Sequence, residues 1–223
     1  AGFTNDNFAF IGGYFDAITP KLIFTGNVVR GGASNPMLLE KWMGETEITH
    51  NTFYNNDGLI EQTDIIFIMN YGGANNTKKQ LISHNTFDMG WGSTYDYDHR
   101  GTGVSITGDF TNAGVPGGFE NVEISYNNFI NLKPYRRGCG TWNNSTGGDY
   151  GNITGLLITN NNISAASGYK GQYGIDLIGK ATNTQITDND ISGVEDAISV
   201  RIWNGHYATG TVAHNNILLG DFG

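Results

Sequence analysis

The chain has 223 residues, a formal charge of -9, one cysteine and only 15% charged residues, with 33 glycines against 4 prolines. That length can bury a sizeable core, the apolar residues are too evenly spread for disorder, and the acidic balance disfavours non-specific nucleic-acid binding. A lone Cys139 excludes an internal disulfide, and no apolar run reaches the length of a membrane span.

Taken in chain order, one pattern returns seven times: apolar-x-x-Asn-x-apolar. The copies are FTGNVV (24–29), ITHNTF (48–53), ISHNTF (82–87), ISYNNF (124–129), ITNNNI (158–163), ITDNDI (186–191) and VAHNNI (212–217). Their asparagines are Asn27, Asn51, Asn85, Asn127, Asn161, Asn189 and Asn215. Between the copies lie further strand-like runs: Leu59–Gln62 with Ile65–Met69, Val104–Ile106, Ile175–Ile178 and Ile198–Arg201. Most of these follow a glycine, as a tight corner requires. A short repeat of strand-like units predicts a solenoid whose equivalent residues stack about 4.8 Å apart. An Asn column then follows, because a side-chain amide can bond both its neighbour and the turn backbone. The leucine pattern of a leucine-rich repeat is missing, and no segment has the helical periodicity of an α/β fold.

These repeats resemble those of right-handed parallel β-helix proteins, the pectin-lyase-like superfamily, over residues 20–217. The resemblance implies one all-β domain over 1–223, a coil of about seven to eight rungs. It implies little about chemistry, because that fold hosts lyases, hydrolases, epimerases, tailspikes and adhesins. An extracellular or cell-surface protein without membrane insertion is expected. Neither end carries an amphipathic capping helix, so the segment is expected to belong to a longer chain or to a homo-oligomer stacked through its ends.

The intervals 51–85, 85–127 and 127–161 are longer than the shortest one, and three successive long rungs are expected to wall a groove. Residues 78–137 hold six of the twelve basic residues, Lys78, Lys79, Arg100, Lys133, Arg136 and Arg137. Trp91, Tyr95, Tyr97, Tyr126, Tyr135, Trp142 and Tyr150 gather in or near the same stretch. Flat aromatic faces stack on sugar rings, while Arg and Lys engage carboxylate or sulfate. The alternative is a set of loops pinned by their own aromatics.

The densest cluster is TYDYDHRGTG (94–103). Asp96 and Asp98 form a carboxylate pair suited to acid–base work or to calcium, so the expected cofactor is either none or calcium. The bland alternative is a turn held by Asp–Arg pairs. His99 or Lys133 is the candidate base. Arg100, Arg136 and Arg137 are candidates to grip acidic groups, and Trp91, Tyr95 and Trp142 to stack on sugars. Asp57, Asp64 and Asp149 lie on neighbouring rungs. Asp176, Lys180 and Arg201 are expected as outward strand residues. His50 and His84 should stack in one column with Tyr126 third, which reads as structural packing rather than a zinc centre. The resulting expectation is a domain that binds and cleaves an anionic polysaccharide as lyase or glycoside hydrolase. The competing expectation is a non-catalytic structural or adhesive module.

Overall fold

The computed structural model describes residues 9–12, 21–30, 35–40, 42–54, 64–70, 74–90, 101–108, 117–142, 152–202 and 208–219. Its twenty-four strands, numbered in chain order, form parallel sheets. No helix is present among the described residues. The long sheet holds β1 (Ala9–Gly12), β4 (Met37–Glu40), β7 (Ile66–Asn70), β10 (Gly101–Gly108), β14 (Arg136–Thr141), β18 (Gly171–Ile178) and β22 (Val194–Arg201). A second sheet holds β2 (Lys21–Thr25), β5 (Glu45–Thr49), β8 (Gln80–Ser83), β12 (Val122–Ser125), β16 (Leu157–Thr159), β20 (Gln185–Thr187) and β23 (Val212–His214). A third holds β3 (Val28–Arg30), β6 (Thr52–Tyr54), β9 (Thr86–Asp88), β13 (Asn128–Leu132), β17 (Asn162–Ala165), β21 (Asp190–Ser192) and β24 (Ile217–Leu219). A short fourth sheet pairs β11 (Phe119–Glu120), β15 (Ile153–Thr154) and β19 (Ala181–Thr182). Strands visit the three main sheets in strict rotation, so each strand pairs with its counterpart one repeat away. This topology is compatible with a parallel β-helix.

Each repeated hexapeptide makes the corner from the second sheet to the third. Its first apolar residue faces in, giving the column Ile48, Ile82, Ile124, Ile158 and Ile186. Its last gives Phe53, Phe87, Phe129, Ile163 and Ile191. The three phenylalanines stack with centroids 5.1 and 4.7 Å apart and near-parallel rings. Such pairs contribute roughly 0.5–1.5 kcal/mol each beyond their burial.

Between the two apolar columns runs the asparagine ladder. Every Oδ1 from Asn51 onward accepts both the backbone N–H and the Nδ2 of the preceding asparagine, at 2.9–3.1 Å. Each Nδ2 past the first also donates to a carbonyl of the coil before, as Asn127 does to Ile82 O at 2.9 Å. The ladder ends on Asn216, not on the expected Asn215. Two asparagines adjoin in the last copy, and strand pairing sets Ala213 beside Ile186, which carries Asn216 to the ladder position. Asn215 takes the preceding turn position, with φ of 56°. His214 accordingly pairs with Thr187 in the sheet and does not join His50 and His84.

The glycines of the long sheet also differ from expectation. They lie inside the strands rather than before them. A Cβ on Gly103 would sit 2.5 Å from Phe129, on Gly138 3.0 Å from Ile163, and on Gly174 2.5 Å from Ile191. These three glycines therefore face inward, and so do the next residues, Val104, Cys139 and Ile175, all fully buried in the core. Two successive inward residues break the alternation and bend the strand, and only a residue without a side chain fits the first position. Residues on both flanks of the bend, Thr102, Arg137 and Tyr173 on one side and Ser105 and Asp176 on the other, consequently share the outer face. Leu59–Gln62 lies outside the described residues.

Replacing Asn127 with Ala should destabilise the fold by about 3 kcal/mol or more, because it strands several buried donors and acceptors at about 1–3 kcal/mol each. Asn27→Ala, at the partly exposed end of the ladder, should cost far less. Urea denaturation of the two variants measures the difference, and equal losses would contradict the ladder's role.

Candidate functional site

The long connections adjoin the long sheet. Chain entering it spans 55–65 before β7 and 89–100 before β10, then shortens to 133–135, 166–170 and 193. Chain leaving it spans 71–79, 109–118 and 142–152. The long connections thus run into and out of the strands of that sheet, whose outer face carries a cluster of polar side chains.

At its centre is Asp176 on β18, 2% exposed. Arg201 Nε donates to its Oδ1 at 3.0 Å, and Arg201 Nη2 donates to its Oδ2. Arg137 Nη1 lies 3.2 Å from the same Oδ2, and Arg137 Nε donates to Gln172 at 3.4 Å. The two guanidinium groups are interleaved with two aromatic rings. Arg137 sits 4.9 Å from the Trp142 centroid and 5.5 Å from that of Tyr173, and Arg201 sits 4.6 Å from the Tyr173 centroid. The order Trp142, Arg137, Tyr173, Arg201 makes a continuous stack across three neighbouring strands. Burial lowers the pKa of the Arg137 guanidinium, with Asp176 opposing. Burial acts the same way on the half-exposed Arg201, but hydrogen bonding to Asp176 and its charge prevail and raise it.

Asp64, just before β7, stands in register with Thr102 and so in the same outer column as Arg137 and Tyr173. It is partly buried and accepts the Thr102 backbone N–H at 3.0 Å. Burial raises its pKa, while hydrogen bonds from Thr102 and Ser105 and the charge of Arg137 pull it back. Asp64 and Asp176 are three strands apart and three residues out of line along the strand, so their backbones are separated by more than roughly 14 Å at the strand spacing of a sheet. Glycoside hydrolysis wants two carboxyl groups about 5–9.5 Å apart, so this pair does not make a hydrolase dyad.

Several expected residues fall elsewhere. Trp91, Tyr95, Asp96, Asp98, His99 and Arg100 lie outside the described residues, as do Asp57 and Asp149. Chain carrying them runs directly into Gly101, beside Arg136 in the sheet register. Lys133 lies on the next connection along the same edge, its Nζ 6.0 Å from the Tyr169 ring. KPYRRG reads as a basic loop by sequence, yet its two arginines open β14. Arg136 is 1% exposed, and burial pushes its pKa down to about 10. A side chain so enclosed does not reach a ligand at the surface. Arg137 is nearly as buried and is committed to Asp176 and the stack. Asp176 and Arg201 are outer strand residues as expected, but as a salt-bridged pair. Tyr173 and Gln172 were not singled out by sequence. The signal was the Tyr-x-x-Asp spacing in YGID (173–176), which brings ring and carboxylate to the same face only across the glycine bend.

Among the described residues, no group of three or more His, Cys, Asp or Glu side chains could hold a metal ion, and no helix is long and apolar enough to cross a membrane. Fold and face together define an all-β stack of parallel sheets with one outer surface built of alternating arginine and aromatic rings. No protein-family model matches the chain, and neither the curated proteins nor the solved structures contain a significant match.

Asp176→Ala should destabilise the protein by about 3–5 kcal/mol, since it leaves two guanidinium groups facing each other, one of them buried. A loss under about 1 kcal/mol by chemical denaturation would contradict that account. Asp64 has the opposite signature. Its folded-state pKa lies above the ordinary 3.8, so its carboxyl stabilises the fold at low pH and that stabilisation fades as pH rises through the raised value. Asp64→Asn should therefore gain stability relative to the parent between pH 4 and pH 7, read as the difference in urea midpoints.

Proposed function

We propose that this chain is an extracellular, right-handed parallel β-helix domain, similar to the pectin-lyase-like superfamily, that binds an anionic polysaccharide along the outer face of its long sheet and cleaves it. The observation that carries this reading is the Trp142–Arg137–Tyr173–Arg201 stack on the outer face of the sheet whose strands the long connections join. The exposed ring edges suit the apolar surfaces of sugars, and the partly exposed guanidinium of Arg201 suits carboxylate or sulfate. A right-handed coil follows the strong preference of parallel crossover connections.

The cleaving groups in this reading come from the connections beside the face. Asp96 and Asp98 supply carboxylates or calcium ligands, and His99 or Lys133 supplies the base, with Arg100, Trp91 and Tyr95 contributing to substrate binding. In a lyase, neutralising the uronate carboxylate acidifies the C5 proton that the base removes. In a hydrolase, two carboxyl groups flank the scissile bond. The wide separation of Asp64 and Asp176 favours Asp96 and Asp98 over the sheet carboxylates as the pair of a hydrolase.

A second reading, a structural or adhesive module, is favoured by the exposed apolar residues of the edge strands. Val212, Ile217, Leu218 and Leu219 are each 47–60% exposed, and strand edges of this kind pair with further strands.

A panel of neutral, uronic and sulfated polysaccharides separates the readings. Incubation with and without calcium, followed by reducing-end and unsaturated-product assays, should show cleavage of an anionic member. The unsaturated chromophore marks a lyase and its absence a hydrolase. Tyr173→Ala and Trp142→Ala should each weaken retention on the same polymer by roughly 1 kcal/mol, the scale of a single stacking contact. No binding to any member, with concentration-dependent assembly by light scattering, would sink the glycan reading and support the second.

A further inference from the structure

The corner between the second and third sheets places one residue per coil in the left-handed region: Gly26, His50, His84, Tyr126, Asn160, Asp188 and Asn215, with φ from 54° to 70°. Glycine, asparagine and aspartate suit that conformation, and four of the seven positions use them. Three successive coils instead carry an aromatic ring: histidine tolerates the conformation less readily than glycine or asparagine, and tyrosine is strained there by about 1 kcal/mol or more. The rings stack along the coil, His50 on His84 at 4.9 Å and His84 on Tyr126 at 5.0 Å, and all three are exposed. Stacking offsets part of the strain, but asparagine would have avoided it altogether.

We propose that His50 and His84 form a two-histidine clamp for a divalent transition-metal ion, Cu2+, Ni2+ or Zn2+. Neighbouring parallel strands hold the two side-chain roots about 5 Å apart. In the stack the in-plane lone pairs of the two rings do not converge, so binding requires both imidazoles to turn out of it, after which two nitrogens from neighbouring strands can meet one ion at bonds of about 2.0–2.1 Å. His84 Nδ1 shares a hydrogen bond with the Ser83 hydroxyl at 3.2 Å, which fixes the ring and leaves Nε2 as the outward ligand. An outer partner of this kind is the usual companion of a metal-bound histidine. Because no third His, Cys, Asp or Glu of the described residues converges there, water completes the coordination. Two imidazoles with water suit copper, nickel or zinc, whereas calcium demands a set of oxygen ligands. The clamp lies on a different corner from the glycan face and does not depend on that reading.

The test is a titration of the chelator-stripped chain with CuCl2, followed by calorimetry and electron paramagnetic resonance. One Cu2+ per chain with a two-nitrogen signature is expected. His50→Asn and His84→Asn should each weaken binding at least about tenfold, and Ser83→Ala by about tenfold, the scale of losing an outer-shell partner. Both histidine variants keep the fold, because asparagine already fills the same turn at positions 160 and 215. His214→Asn, outside the column, should bind as the parent does. Absent binding, binding untouched in His50→Asn, or equal loss in His214→Asn would overturn the clamp and leave the pair as a structural stack.

Discussion

Parallel stacking forces each residue against its own counterpart in the next coil, and everything else in this molecule answers to that constraint. At the repeated corner the neighbour in the column is the same residue type, so a buried polar group there must pair with a copy of itself. Asparagine solves the problem, since its amide is donor and acceptor at once. The column bonds head to tail, with spare Nδ2 capacity for the coil's carbonyls. Leucine would leave the turn amides unmet, and aspartate would stack like charges. One residue type therefore fixes the corner in every repeat and sets the register of two sheets at once.

The same constraint shapes the charged face. Like charges in adjacent coils repel, so the outer columns of the long sheet alternate by chemistry along the axis. Asp64, Thr102, Arg137, Tyr173 and Asp196 follow one another in a single column. Asp176 is held by arginines from both neighbouring coils. Rings fill the spaces between guanidinium groups, which keeps buried cations tolerable where a chain of arginines would not be. A surface so cross-braced is held by many mutual contacts, which suits the polymer-binding role proposed for it.

At the opposite corner, the left-handed turn imposes a different selection. Six of its seven residues are small, amide-bearing, acidic or histidine, types that tolerate the conformation, and Tyr126 is the bulky exception held by its stack on His84.

The repeat was legible because its period and its polarity are written locally: Ile48, Asn51 and Phe53 recur with their spacing intact in five of the other copies. Stacked parallel sheets follow from that spacing alone, because only stacking gives seven identical corners a common partner. Where two asparagines adjoin, local pattern is ambiguous by one residue, and only strand pairing assigned Asn216 to the ladder. Burial of Arg136 and Arg137 was equally invisible, since a basic pair after a proline reads as surface until the sheet encloses it. The grouping of Arg137, Tyr173, Asp176 and Arg201 depends on glycines that bend the strand and on a register spanning 65 residues of chain. Sequence thus determined which residues repeat and that they must stack. The tertiary structure decided which of the remaining side chains meet, because that follows from bends and registers that no single repeat contains.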